Sequence, residues 1–326
     1  MMRARTYLTL IAVPVAVATL GGSGFANMGG VTSKAGRDEP LVEAVRQLDR
    51  STPWQLVDRI PLDFETYHPQ GFAVVGDKLF MSSVEVIEPP VRYPEPDEDG
   101  YDRSPGKGIG HVFVMTREGE LIRDIVIGEG PEGTIYHPGG IDYDGRNVWV
   151  PVAEYRPDSD AIVYRIDPKT YEITEEFGYR DHVGGVVVDR VTHEVHGVTW
   201  GSRRMVRWDW RGRVRDVDLN GSHFIDYQDC AYVAHRKQLC SGVAGLATAS
   251  GGSYELGGLA LIDLRDNEIV HELPVVGFSA AGHSITRNPV LVELDGDTVR
   301  LTAAPDDGEE VAGTELLVYE ADLSEE

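Results

Sequence analysis

His68-Pro-Gln-Gly-Phe-Ala-Val-Val-Gly-Asp-Lys-Leu-Phe-Met-Ser-Ser-Val-Glu85 returns further along the chain as His137-Pro-Gly-Gly-Ile-Asp-Tyr-Asp-Gly-Arg-Asn-Val-Trp-Val-Pro-Val-Ala-Glu154. Each copy starts on His-Pro, runs through a short apolar strand, turns at Gly-Asp or Asp-Gly, and continues into a second strand that ends on Glu. That is the grammar of a β-hairpin. The frame fits again, more loosely, at His182-Val-Gly-Gly-Val, Asp226-Tyr-Gln-Asp-Cys and His283-Ser-Ile-Thr. Repeat starts are therefore 69, 45, 44 and 57 residues apart.

A second strand pair follows each hairpin, for example His111-Val-Phe-Val-Met-Thr with Glu120-Leu-Ile-Arg-Asp-Ile-Val-Ile, and Ala161-Ile-Val-Tyr-Arg-Ile with Tyr171-Glu-Ile-Thr-Glu-Glu-Phe. Units of four antiparallel strands at this period are the blades of a β-propeller. The sequence predicts an all-β protein of five blades, with six as the alternative if two have been merged. The last unit runs out of chain after three strands, so Trp54-Gln-Leu-Val-Asp-Arg-Ile is expected to complete it from the other end and close the ring.

The first residues have the form of an export signal: Arg3 and Arg5, an apolar run from Tyr7 to Leu20, then small residues up to Ala26. The expected organisation is a signal peptide over 1–26, a mobile leader over 27–52 and one propeller domain over 53–326, secreted or otherwise extracytoplasmic. The apolar run is shorter than the roughly 20 residues of a spanning helix. An uncleaved N-terminal anchor is the only membrane association left open.

Acidic residues outnumber basic ones by 54 to 30, a formal charge of −24. Nucleic acid is disfavoured as a partner, because its binding rests on basic contacts to phosphate. A solvated acidic coat explains the charge better than a cationic ligand does, and a small-molecule ligand and a monomeric state are expected. Cys230 and Cys240 fall at opposed positions of one hairpin and are expected to pair as a staple.

The chemistry follows from the repeat. Equivalent positions meet around the axis of a closed ring, so His68, His137, His182, Asp226 and His283 are expected at the channel mouth as ligands of a divalent metal ion. Glu85 and Glu154 end second strands on the same face and are the candidate catalytic acid and base. The competing view makes these histidines turn and packing residues. The insertion from Glu88 to Gly110 should overhang the mouth as a lid or wall. Its Asp97, Asp99 and Asp102 offer oxygens to a structural calcium, although they lack the ordered alternation of a calcium loop. Trp149, Trp200, Trp208 and Trp210 are read as strand residues packing between blades. His193-Glu-Val-His196 is discounted as a metal motif, since alternate strand residues face opposite ways.

On His68-Pro-Gln-Gly-Phe and His137-Pro-Gly-Gly-Ile the chain resembles an uncharacterised family of exported bacterial and fungal proteins, a domain of unknown function, over roughly Trp54 to the C terminus. Gln70-Gly71-Phe72 with Ser82-Ser83 resembles the opening of glutamine cyclotransferases, which are exported five-bladed propellers. Gluconolactonase-like propellers are similar in their exported metal-site logic, but their acidic and Asn ligands are not recognisable here. The functions that follow are a metal-dependent hydrolase or lyase for a small polar molecule, a non-catalytic binding propeller, or a cyclotransferase.

Overall fold

The structure is a computed structural model that describes residues 39–310 and 313–324. It opens with α1 (Glu39–Gln47) and β1 (Gln55–Pro61). Four hairpin-linked sheets follow. The first blade is β2 (His68–Val75), β3 (Lys78–Glu88), β4 (Lys107–Thr116) and β5 (Leu121–Ile127). In the second, β6 (His137–Pro138) and β7 (Asp142–Tyr143) share the innermost position beside β8 (Val148–Ala153), β9 (Ala161–Ile166) and β10 (Ile173–Tyr179). The third is β11 (Gly185–Val188), β12 (Val195–Val198), β13 (Arg204–Trp208) and β14 (Val214–Leu219). The fourth is β15 (Asp226–Val233), β16 (Lys237–Ala247), β17 (Ser253–Asp263) and β18 (Ile269–Pro274).

The fifth blade joins the two ends of the chain. β19 (Val290–Asp295), β20 (Thr298–Ala303) and β21 (Glu315–Asp322) come from the C-terminal side, and β1 pairs antiparallel with β21, Arg59 opposite Leu317. The expected five blades and their closure by the N-terminal strand are both observed. Pairing β1 with β21 covers an edge that would otherwise template intermolecular association.

Why the sheets form a ring is visible in the two-residue periodicity of the strands. Phe80 turns toward the second blade and packs with Ile141, Val150 and Val152, whereas its neighbours Leu79 and Met81 turn the other way, into a cluster with Leu316 of the fifth. Successive side chains on a strand point to opposite faces, so each blade must offer apolar residues on both. Trp208 of the third blade packs with Val163 and Phe177 of the second. Met205 and Val187 meet Tyr227 and Ala260 of the fourth, and Leu259 and Leu261 of the fourth meet Val299 and Leu301 of the fifth. These five interfaces link every blade to two others.

The leader expected over 27–52 is corrected in its second half. α1 packs Leu41, Val42, Ala44 and Val45, with Leu48 just beyond its end, into the interface between the fourth and fifth blades. The Leu48 carbonyl accepts a 2.8 Å hydrogen bond from His271 Nε2. A nine-residue helix is marginal alone in water. Burying side chains of this size stabilises by about 1.5–3 kcal/mol each, enough to hold it. Residues 1–38, and with them the expected signal peptide and the first half of the leader, lie outside the described residues. Among the described residues, no helix is long and apolar enough to cross a membrane.

The disulfide is formed as expected. Cys230 and Cys240 are directly opposed on β15 and β16, with Cα atoms 4.0 Å apart.

Candidate functional site

The innermost strands carry an irregularity near their start. The register of β2 against β3 shifts between Pro69 and Gly71, and that of β15 against β16 between Tyr227 and Asp229. In the second blade the strand is interrupted outright between β6 and β7. There Gly139 and Gly140 swing toward the third blade, where Gly140 N–H donates to Gly184 O and Val186 N–H to Gly140 O. A Cβ on Gly139 would stand 2.2 Å from Gly184 O, so only glycine permits this approach. Bulges re-aim side chains beside sites. These leave His68, His137 and Asp226 at the mouth with Gln70 and Gln228 next to them.

A cavity of about 270 Å³ opens at that mouth, and His68, Gln70, His137, Tyr155, His182, Thr199, Trp200, Asp226 and Gln228 are among the residues that line it. The structure thus brings four of the five expected ligands to one cavity. The rings of His68 and His137 have centroids 6.4 Å apart, and those of His137 and His182 6.1 Å.

The two outer imidazoles are held from behind. His182 Nδ1 donates to the backbone carbonyl of Glu154 at 2.8 Å, and His68 Nδ1 lies 2.5 Å from Asp307 Oδ1. Against the penalty of burial, the hydrogen bond from His68, the Arg287 charge and Asn288 hold the Asp307 carboxyl below its usual range, so it is an anion that accepts from His68. In His182 the proton sits on Nδ1 and Nε2 carries a lone pair, and in neither ring does Nε2 have a hydrogen-bonding partner among the described residues. His137, between them, is buried with neither ring nitrogen bonded. Burial, and then the neighbouring His182 and His68 rings, hold its pKa well below the usual histidine range, and burial lowers that of His182 to about 4. Two neutral imidazoles, and a third ring tied to a carboxylate, therefore share one cavity mouth. The arrangement of a ring held by carbonyl or carboxylate through one nitrogen, with the other free, is the one that orients metal-ligating histidines. Nevertheless, among the described residues no group of three or more His, Cys, Asp or Glu side chains is gathered closely enough to hold an ion as it stands.

The remaining expected residues have other partners. His283 does not line the cavity. Its ring is gripped by Glu255 at 3.0 Å and Glu310 at 3.1 Å. Although burial opposes it, these carboxylates raise its pKa. It belongs to an ion network in which Arg287 reaches both Glu310 and Asp307, and so supports His68 from behind. Asp226 lines the mouth but faces Arg203 at 3.3 Å, and burial raises its pKa. Neither expected acid or base lines the cavity. Glu85 approaches His111 Nε2 at 3.7 Å. The Glu154 carboxylate accepts from Thr134 Oγ1 at 2.7 Å and from Arg156 Nε at 2.5 Å, and it serves the site through its carbonyl. The serines behind the cyclotransferase likeness are braces: Ser82 Oγ donates to Gly139 O at 2.7 Å, and Ser83 Oγ to Thr66 O.

The Glu88–Gly110 insertion does reach over neighbouring blades. It folds back through Tyr93 N–H to Asp102 O and Ser104 N–H to Val91 O. The Arg156 guanidinium lies 3.4 Å from the Tyr101 ring centroid, and the Arg103 guanidinium 5.2 Å from that of Trp200. Two of its three candidate calcium ligands are committed locally. Asp97 Oδ1 accepts the amides of Asp99 and Tyr101, and Asp102 holds Arg103 and approaches Arg92. The calcium set is not gathered.

Trp149 and Trp208 lie on strands as expected, but Trp210 sits in an exposed turn beyond β13, and Trp200 also departs from the reading of the tryptophans as strand residues. It lies in the short 3₁₀ turn Trp200–Ser202, with His182 edge-on at 4.9 Å. Tyr155 packs tilted against His137, ring centroids 4.1 Å apart, and completes an aromatic wall with Trp200. Both follow by two residues the end of a second strand, β8 or β12. That shared offset was the available signal for them.

The profile of a family of unknown function, DUF6454, matches residues 31–325. The chain belongs to that family. A comparison with curated protein sequences finds no match. Solved structures that resemble the chain include a luciferin-regenerating enzyme (9% identity, 84% of this chain and 96% of that chain, TM-score 0.47), a hypothetical protein from Leishmania major (11%, 83% and 92%, 0.49) and a gluconolactonase from Xanthomonas campestris (10%, 82% and 98%, 0.44). At such identities and scores these likenesses carry no argument about activity.

Proposed function

We propose that the mouth of the channel is the working site of an exported, monomeric protein, where His68, His137 and His182 bind a divalent transition ion beside a small polar molecule that undergoes hydrolysis or elimination. The observation that carries this reading is the set of unpartnered ring nitrogens: Nε2 of His68 and His182, whose rings are fixed by Asp307 and the Glu154 carbonyl, on either side of a buried His137 with no partner. Leaving a buried polar group unpaired costs about 1–3 kcal/mol, which a bound ion or ligand would recover. Neutral imidazoles are the form that borderline ions take up. An ion there would supply Lewis acidity toward a carbonyl or water. Asp226 would complete the coordination or orient the substrate. The disulfide suits an oxidising compartment, in keeping with the signal-like N terminus.

A second reading has its own observation. Two imidazoles on one tetrahedral ion, with nitrogens about 2.0–2.1 Å from it, place their ring centroids about 5 Å apart. The observed 6.1 and 6.4 Å are wider. A metal-free pocket, in which the same nitrogens hydrogen-bond to a ligand, accommodates the rings where they are.

Titration of chelator-treated protein with cobalt(II) tests between the two. Saturable tetrahedral visible bands at one equivalent, absent from His182→Ala, support the metal reading. Spectra of free aqueous cobalt throughout would favour the metal-free pocket.

A further inference from the structure

We infer that the ligand of this cavity is an uncharged, polyhydroxylated ring or chain of about monosaccharide size. The inference rests on the site proposed above but not on the presence of an ion.

Charge comes first. Among the described residues that line the cavity, Asp226 is the one carboxylate, and it is offset by Arg203. Among the described residues, no lysine or arginine lines the cavity to hold a phosphate or carboxylate. The nearest guanidinium on the overhanging insertion, Arg103, is engaged by both oxygens of Asp102. A cationic ligand fares no better, since the Trp200 ring already has that guanidinium beside it.

Hydrogen-bond polarity comes second. With its Nδ1 proton donated to the Glu154 carbonyl, His182 presents an acceptor at Nε2, and His137 supplies one further acceptor and one donor. Thr199, Tyr155 and Gln228 also line the cavity, and the Thr199 hydroxyl, which accepts the Arg204 amide at 3.2 Å, keeps its proton to donate. Sites rich in acceptors select ligands rich in donors, and hydroxyl groups supply donors without charge. A site built to bond hydroxyls discriminates strongly against analogues that lack them. Adjacent hydroxyls would also chelate an ion, so this ligand class suits both readings of the site.

Shape comes third. Tyr155 and Trp200 form one wall while the polar groups form the others, which matches a ring with an apolar face and a hydroxylated rim. A volume of about 270 Å³ falls just below the 300–1,000 Å³ of pockets for drug-sized ligands. One small ring fits.

The test titrates the full chain with D-glucose, D-xylose and myo-inositol as neutral probes. Glucose 6-phosphate and gluconate serve as anionic probes and choline as the cationic one. Binding is read by calorimetry and by imidazole nitrogen shifts, with metal content measured on the same sample. The expected result is saturable binding of at least one neutral probe, a shift at Nε2 of His68 or His182, and at least a tenfold loss of affinity in both His182→Phe and the milder Thr199→Val. Binding of none of the neutral probes, or preference for a charged one, overturns the inference. If metal is present and the neutral probes fail, the ligand class falls and the metal proposal stands. If a neutral probe binds metal-free protein, the reverse holds.

Discussion

The Nδ1 atom of His182 donates to the backbone carbonyl of Glu154, 2.8 Å away at the end of the second strand of the preceding blade. This bond crosses from the third blade to the second, fixes the tautomer of the ring, and leaves the opposite nitrogen for the cavity. It also ties the site to the stability of the ring.

His182 has a pKa lowered to about 4 by burial, against 6.5 for the ordinary group. Between these values the unfolded chain takes up a proton that the folded chain refuses, so folding stability is expected to fall as the pH drops from about 6.5 toward 4. A shift of one unit corresponds to about 1.4 kcal/mol. His137 acts in the same direction. His283, with a raised pKa, acts with the opposite sign: its contribution is complete below 6.5 and is lost as pH rises through its folded value. Urea denaturation across pH 4–8 should show the acid loss, and His182→Gln should flatten it.

Asp229 is fully buried below the cavity, where its Oδ2 accepts the amide of Phe72 from another blade at 2.8 Å. Burial, partly offset by that hydrogen bond, raises its pKa well above the usual carboxylate range. Its protonated form is favoured in the folded protein, so ionisation is expected to cost stability as pH rises above 3.8. Asp229→Asn keeps the acceptor without the charge and should equal or exceed the native protein in melting temperature at pH 8. Asp229→Ala strands the Phe72 amide and should lose about 1–3 kcal/mol.

Cys230 and Cys240 are separated by ten residues in sequence. The chain-entropy estimate for a 15-residue loop is about 3 kcal/mol, and this slightly shorter one should contribute a little less. Reduction, or a Cys230→Ala/Cys240→Ala variant, should lower stability by about 2–3 kcal/mol in denaturant titration while leaving the strand content of the circular dichroism spectrum intact.

How far the sequence could be read depended on how each feature was encoded. The blades were legible because the hairpin phrase recurs in full at His68 and His137, and the cysteines because they occupy opposed positions of one copy. His283 matched the phrase by one residue only, and the innermost strand of its blade starts at Val290, seven residues later. Its place behind His68 depends on Asp307 and Arg287, on separate segments around β20, which a local frame does not link. α1 was missed for its brevity, although Leu41, Val42, Val45 and Leu48 carry the helical period. Trp200 was assigned to packing because its turn, with Gly201 in the left-handed region, read as the end of a strand.

Elemental analysis of the chain purified without chelators or a histidine tag, beside the His68→Ala/His137→Ala double variant, tests the central claim most directly. The account expects one equivalent of a transition metal in the native protein and none in a folded variant. Absence of metal from both, before and after reconstitution, would contradict it and leave the cavity as a metal-free binding pocket.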